Sequence, residues 1–311
     1  MKHPSVLVLL AGVAALAGCN SLPVSEPEQP WQTELRCGQL PLSVSVTGER
    51  LMLNAKGEQL ELQQAISASG ARYVAAGEPE TSLWFKGEQA RLVLEGMEYP
   101  RCAPANAIIE PFRASGNEPF WSLTLEQREL VLNRLNEGEL PAQPYLLGDT
   151  PGQLNSQGEP AIAVQVSDQL CRDDMSGMPH PQKVSVRLEG STLNGCGGDP
   201  ARLLQGGEWV VEDINGGGII DRSRVTLNFW QDGRVTGRTS CNNFMGQYQL
   251  TGEGLSISQI AGTRMACAPS LMEQEQRVLA NLEGIQGFDF DQTGALLLRS
   301  TAGSLKARLE N

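Results

Sequence analysis

The chain has 311 residues and carries 36 acidic against 24 basic side chains, a formal net charge of −12. That balance argues against nucleic-acid binding, which needs cations to neutralise phosphates, and it permits a basic protein partner. The length beyond a removable leader suffices for two or three domains.

Lys2 and His3 precede a short apolar run, Val6 to Leu16, which closes on Leu16-Ala17-Gly18-Cys19. A basic start, a short apolar stretch and small residues before a cut make a secretory signal. The run is too short to cross a bilayer as a helix, which takes roughly 20 residues. Its last four residues resemble the bacterial lipobox. That resemblance implies that residues 1–19 are a signal peptide and that Cys19 is lipidated, so the protein is anchored to a membrane by acyl chains without crossing it. Residues 20–32, with three prolines and two glutamates, read as a solvated tether. Asn20 follows the cysteine. In the lipoprotein family an aspartate there commonly marks inner-membrane retention, so the resemblance implies an outer-membrane location facing the periplasm.

The other six cysteines are Cys37, Cys102, Cys171, Cys196, Cys241 and Cys267. An even number in an exported chain reads as disulfides, because that compartment is oxidising. Nearest-in-sequence pairing, Cys37–Cys102, Cys171–Cys196 and Cys241–Cys267, is favoured among the possible pairings because each bridge then falls inside one candidate module. No Cys-x-x-Cys occurs, and His180 is the one histidine outside the signal. Zinc or another metal is therefore not expected, nor is any cofactor.

Beyond the tether the pattern is β. Leu42 to Val46, Val184 to Leu188 and Leu255 to Ser258 alternate strictly. Further strands are expected at 50–54, 59–63, 83–85, 91–95, 121–125, 162–166, 224–230, 295–299 and 304–309. Glycine-bearing turns separate many of them, as in sandwiches or small barrels. One helix is expected from Ser270 as N-cap, with Glu273 at capping-box spacing, a stripe of Leu271, Gln274, Val278, Leu279 and Leu282, and a stop at Gly284. The expected class is mainly β: three consecutive small antiparallel modules, barrel-like, at 33–105, 106–206 and 207–311.

Between Cys37 and Cys102 lie Ser69-Gly70-Ala71-Arg72-Tyr73, Trp84-Phe85-Lys86-Gly87 and Tyr99-Pro100-Arg101-Cys102. In that order they resemble MliC, the membrane-bound lysozyme inhibitor of c-type lysozyme, over residues 35 to about 104. The resemblance implies a small antiparallel barrel whose loop enters the lysozyme cleft, with Ser69 and Lys86 aimed at the catalytic carboxylates. A retaining glycosidase of this kind needs one protonated and one ionised carboxyl. An ammonium beside the pair favours ionisation and removes the proton donor. The stretch from Tyr73 to Trp84 is longer than the family's usual one. Tyr73 and Trp84 themselves are expected in the core.

Residues 113–121, Arg-Ala-Ser-Gly-Asn-Glu-Pro-Phe-Trp, together with Cys171 to Gly177 and Asn194 to Gly198, resemble an uncharacterised family of bacterial envelope domains that implies no nameable activity. Trp121 is expected in the core, and Asp168, Asp173 and Asp174 as solvated acids, since their spacing does not suit a calcium loop. Residues 207–311 resemble the META/HslJ domain through Gly207-Glu208-Trp209, Gly237 to Tyr248, Thr263 to Cys267 and Met272 to Glu275. That resemblance implies an antiparallel β fold with one helix and an envelope setting. Asn242 and Asn243 are expected as turn-capping amides.

No enzyme is expected. His180 sits in Met178-Pro179-His180-Pro181, and there is neither a Gly-x-Ser-x-Gly elbow nor a nucleotide loop. The leading expectation is an outer-membrane lipoprotein that inhibits c-type lysozyme. The alternative is a non-inhibitory envelope or stress adaptor that binds envelope components through its middle and META modules.

Overall fold

The computed structural model describes residues 30–310. The expectations for Cys19, the signal peptide and most of the tether lie outside the described residues.

The first sheet is built from β1 (Trp31–Cys37), β2 (Leu40–Thr47), β3 (Arg50–Ala55), β4 (Glu58–Ala65), β5 (Ala71–Val74), β6 (Ser82–Lys86), β7 (Gln89–Leu94), β8 (Met97–Glu98) and β9 (Cys102–Ala103). It runs as an antiparallel meander from β1 to β7. β9 then pairs with both β7 and β1 and closes a barrel. Period-2 alternation explains the closure: Leu35, Leu42, Val44, Leu51, Leu53, Leu62, Leu83, Phe85 and Leu92 point inward, and polar neighbours point out. β1 begins at Trp31, inside the stretch read as tether.

The second sheet spans Phe112–Asn117 to Ser191–Gly197. It closes in the same way, because its second strand, Phe120–Glu126, pairs with both Phe112–Asn117 and Glu129–Arg134. Trp121 lies in its core, 4% exposed. Its indole crosses Gly116 and Gly195, where a Cβ would lie 2.4 and 2.8 Å from it, and donates to the Asn194 carbonyl. The third sheet has eight antiparallel strands between Glu208 and Glu310. Helix α1 (Pro269–Glu283) packs Val278 and Leu282 into its core.

The helix departs from expectation at its start. Its N-cap is Ala268, with Pro269 in the first turn and no side-chain cap. Proline's missing N–H costs nothing there, so the Ser270 capping box is not used. Gly284 is the C-cap, as expected. The buried face is Gln274, Glu275, Val278, Asn281 and Leu282, more polar than the anticipated stripe because the sheet meets it with hydrogen-bonding groups.

The disulfides join Cys37 to Cys102, Cys171 to Cys196 and Cys241 to Cys267. The β1–β2 turn and its surroundings in the first module also touch residues 202–206, the segment that leads into the third sheet. The Gln39 amide donates to the Gln205 carbonyl at 2.7 Å, and Gln39 Nε2 donates to the Arg202 carbonyl. Arg202 donates to the Arg101 and Arg36 carbonyls. Gly206, at φ +96°, lies so close that a Cβ would stand 2.2 Å from the Cys37 oxygen. Met178 of the middle module joins the third module's core, and Arg172 pairs with Asp289 at 2.9 Å. The modules follow one another in sequence but pack against each other in space.

Candidate functional site

Antiparallel order decides which loops share an end of the first barrel. The β4–β5 loop (residues 66–70) and the β6–β7 turn (residues 87–88) fall at one end, and the β5–β6 connection falls at the other. The extra length between Tyr73 and Trp84 is therefore remote from Ser69 and Lys86. That far loop is held in its own way: Glu80 accepts from Arg72 at 2.8 Å and from Ser82 at 2.7 Å. The Ser82 hydroxyl first, then the Arg72 guanidinium, hold the Glu80 carboxyl below its ordinary range.

Ser69 and Lys86 are both exposed and are joined by Trp84. The Trp84 indole N–H donates to the Ser69 carbonyl at 2.8 Å. The Lys86 ammonium lies over the Trp84 ring, 4.2 Å from its centroid. The loop is fixed at two more points. Ser67 Oγ donates to the Gly70 carbonyl at 2.9 Å. Gly70, at φ +68°, packs so tightly that a Cβ would stand 2.0 Å from the Phe85 oxygen. A side chain is thus barred both by conformation and by space. Lys86 forms no ion pair among the described residues. The site is a preset loop beside an unneutralised cation. It offers a neighbouring anion one ammonium, lying over the Trp84 ring, and the Ser69 hydroxyl.

The expectation for Trp84 needs correction. Tyr73 is in the core, 6% exposed and edge-on to Phe85, but Trp84 lies on the outer wall. Alternation along β6 requires this: Leu83 and Phe85 point inward, so Trp84 and Lys86 share the outer face. That signal was available, since a solvated Lys86 and a core Trp84 cannot be two residues apart on one strand. Trp84 and Lys86 also stand on the wall of a cleft of about 1550 Å³, whose other walls include Glu110 and Pro111 of the middle module and Arg202.

Elsewhere Asp168, Asp173 and Asn242 make structural hydrogen bonds, and Asp174 is exposed. Asp168 accepts from the Asn106 amide and from Gln182. Asp173 closes its own turn by accepting from Met175, Ser176 and Asn117. Burial raises its carboxyl pKa, but the bonds from Ser176, Asn117 and Met175 outweigh that and bring it below the ordinary value. Asn242 is 3% exposed. It accepts from Thr263 Oγ1 and the Met265 amide and donates to Glu275 and the Met265 carbonyl, so it is a buried turn-capping amide. Asn243 is exposed. Glu275, 8% exposed, accepts from Thr239 and from the Asn242 backbone and side chain. Sequence reading did not anticipate this buried carboxylate, which links α1 to the Cys241 loop.

The chain is thus a string of small disulfide-bonded antiparallel β modules, one of which presents a braced loop beside a free cation. Comparison with known families agrees. Residues 36–100 match the family model described as membrane-bound lysozyme-inhibitor of c-type lysozyme, and residues 202–311 match the META domain. The chain therefore carries an MliC domain and a META domain, with a further β module between them. No curated protein matches. Among solved structures, an NMR structure of a protein is 28% identical, covering 35% of this chain and 93% of its own, with a TM-score of 0.31. An NMR structure of a protein from Burkholderia xenovorans is 26% identical, covering 35% and 85%, with a TM-score of 0.30.

Proposed function

We propose that the chain is a lysozyme inhibitor that acts through the β4–β5 loop and Lys86 and catalyses no reaction itself. The Trp84 clamp carries this reading: one side chain holds the Ser69 backbone and the Lys86 ammonium at the same end of the barrel. Inserted into a cleft with two catalytic carboxylates, the loop excludes the polysaccharide. The ammonium favours ionisation of both carboxyls and so removes the general acid. The loop is braced before binding, so little ordering entropy is lost on association. The matched family is described as membrane-bound, which agrees with an envelope location. Outer-membrane anchoring through lipid on Cys19 belongs to the same proposal. In this reading the META and middle modules carry and orient the inhibitor, through the contacts of Gln39, Arg202 and Gly206.

The test is inhibition of a c-type lysozyme by the chain lacking residues 1–19, beside Ser69→Ala and Lys86→Ala. Each variant should lose about 2–5 kcal/mol of binding, as for truncation of a buried charged contact, and the lysine should lose more. Full inhibition by a folded Ser69→Ala/Lys86→Ala protein would refute the mechanism.

A further inference from the structure

We infer that the partner is gripped by two modules: besides the loop 66–70 and Lys86 of the first barrel, Ile109 and Pro111 of the middle module meet the lip of the lysozyme's cleft beside its carboxylates. The inference rests on the inhibitor reading and extends the contact surface beyond residues 36–100, the stretch that the family model matches.

Two hydrogen bonds set the leading segment of the middle module beside Lys86. Gln89 opens β7, at the end of the barrel where the loop 66–70 lies, and faces Lys86 across the β6–β7 pair. Facing side chains in such a pair stand about 5 Å apart at Cβ. Gln89 Nε2 donates to the Ile108 carbonyl at 3.1 Å, and Arg101 Nη1 donates to the Glu110 carbonyl at 2.8 Å. The carbonyls on either side of Ile109 are thus fixed to the outer wall of the first barrel. The side chains of those two neighbours turn the other way: Ile108 packs on the middle core, and Glu110 accepts from the Tyr145 hydroxyl. Ile109 is half-buried and belongs to none of the three cores. With the exposed Pro111 it lines the same cleft as Trp84 and Lys86.

This wall supplies what the Lys86 site lacks. An ammonium–carboxylate contact left in water is weak and is screened by salt, so Lys86 needs a neighbouring surface that adds apolar burial. Glu110 is the one acid in residues 104–111, and its carboxylate is tied to Tyr145 and the Arg128 amide. The segment therefore sets no free carboxylate in competition for Lys86, and the side chains it turns to the cleft are apolar. A partner whose carboxylates reach Lys86 closes on Ile109 and Pro111 with the surface next to those carboxylates, and apolar area buried there adds to binding. The segment is pinned before the partner arrives, so the contact costs little ordering entropy.

The test uses the chain lacking residues 1–19 and a c-type lysozyme. A photoreactive benzoylphenylalanine placed at position 109 should cross-link to the lysozyme, as should one placed at position 66 in the loop. Ile109→Ser should melt as the wild type does, because Ile109 belongs to no core. Its dissociation constant should rise about 3- to 10-fold, the worth of burying the exposed part of an isoleucine. Cross-linking from position 66 but not from position 109 would overturn the second contact surface and leave the roles of Ser69 and Lys86 standing. Cross-linking from position 109 with wild-type affinity in Ile109→Ser would also overturn it, since the segment would then lie near the partner without holding it. A wild type that binds no lysozyme would overturn the inhibitor reading and the two-module grip together.

Discussion

Replacing Trp84 separates the bracing of the loop from its contacts with a partner. Trp84→Ala removes the indole N–H that holds the Ser69 carbonyl at 2.8 Å and the ring that lies 4.2 Å beneath the Lys86 ammonium. Both contacts face solvent. The hydrogen bond contributes about 0.5–1.5 kcal/mol and the cation–π contact about 0.5–1 kcal/mol. The barrel core, made by Leu83, Phe85 and their neighbours, is untouched, so the melting temperature should fall by only a few degrees. Binding should suffer more, because the loop must then be ordered at the moment of association. A combined loss of about 1–2.5 kcal/mol raises the inhibition constant about 5- to 70-fold. Trp84→Phe keeps a ring for Lys86 and loses only the donor, so it should fall between the two. Trp84→Ala combined with Lys86→Ala should be less than additive, since the two share one contact. The assay is lysozyme inhibition at fixed salt beside thermal melts. A folded Trp84→Ala protein that inhibits as well as the wild type would refute the bracing argument.

Glu275→Ala leaves the buried Asn242 backbone amide without its acceptor, while the Thr239 hydroxyl can still donate to the Asn242 carbonyl; at about 1–3 kcal/mol for one orphaned group, chemical denaturation should show a loss of that order in the third module. Gly206→Val puts a Cβ 2.2 Å from the Cys37 oxygen, so small-angle scattering should show a larger radius of gyration as the first and third modules part; an unchanged profile would mean that this contact does not hold them. Glu80 is depressed by Ser82 and Arg72, so its stabilisation is present above the ordinary carboxylate pKa of 4.5 and is lost as pH falls through the native value. The melting-temperature gap between wild type and Glu80→Gln should be constant near neutrality and close in acid. Its size should stay under about 1 kcal/mol, because the pair is solvent-exposed.

Strands with clean alternation were legible: Leu42 to Val46 and Val184 to Leu188 sit inside observed strands. The strand Trp31–Cys37 was not, because only Leu35 and Cys37 of its seven residues are buried, which leaves no run of alternation, and its first two residues were read with the tether. The resemblance to the MliC family pointed to Ser69 and Lys86, but not to what joins them, since a tryptophan is read as core by default. The direct docking of the first module on the third left no periodic trace either. It depends on Gly38 and Gly206, two turn glycines about 170 residues apart, whose close approach only the folded backbone reveals. The polar face of α1 was hidden for a related reason. Gln274 stood in the expected stripe only as its weak point, Glu275 lay outside it, and their partners Ile220, Ser223, Ser240, Thr239 and Asn242 come from distant segments.

In the proposed mechanism residues 66–70 and Lys86 stop a c-type lysozyme. The most direct measurement is the inhibition constant of the chain lacking residues 1–19 against that enzyme, taken beside the Ser69→Ala/Lys86→Ala variant with matched thermal melts. Saturable one-to-one inhibition by the wild type and its loss in the folded double variant are expected. A folded wild type that leaves the lysozyme fully active, or a double variant that inhibits equally well, would contradict the mechanism.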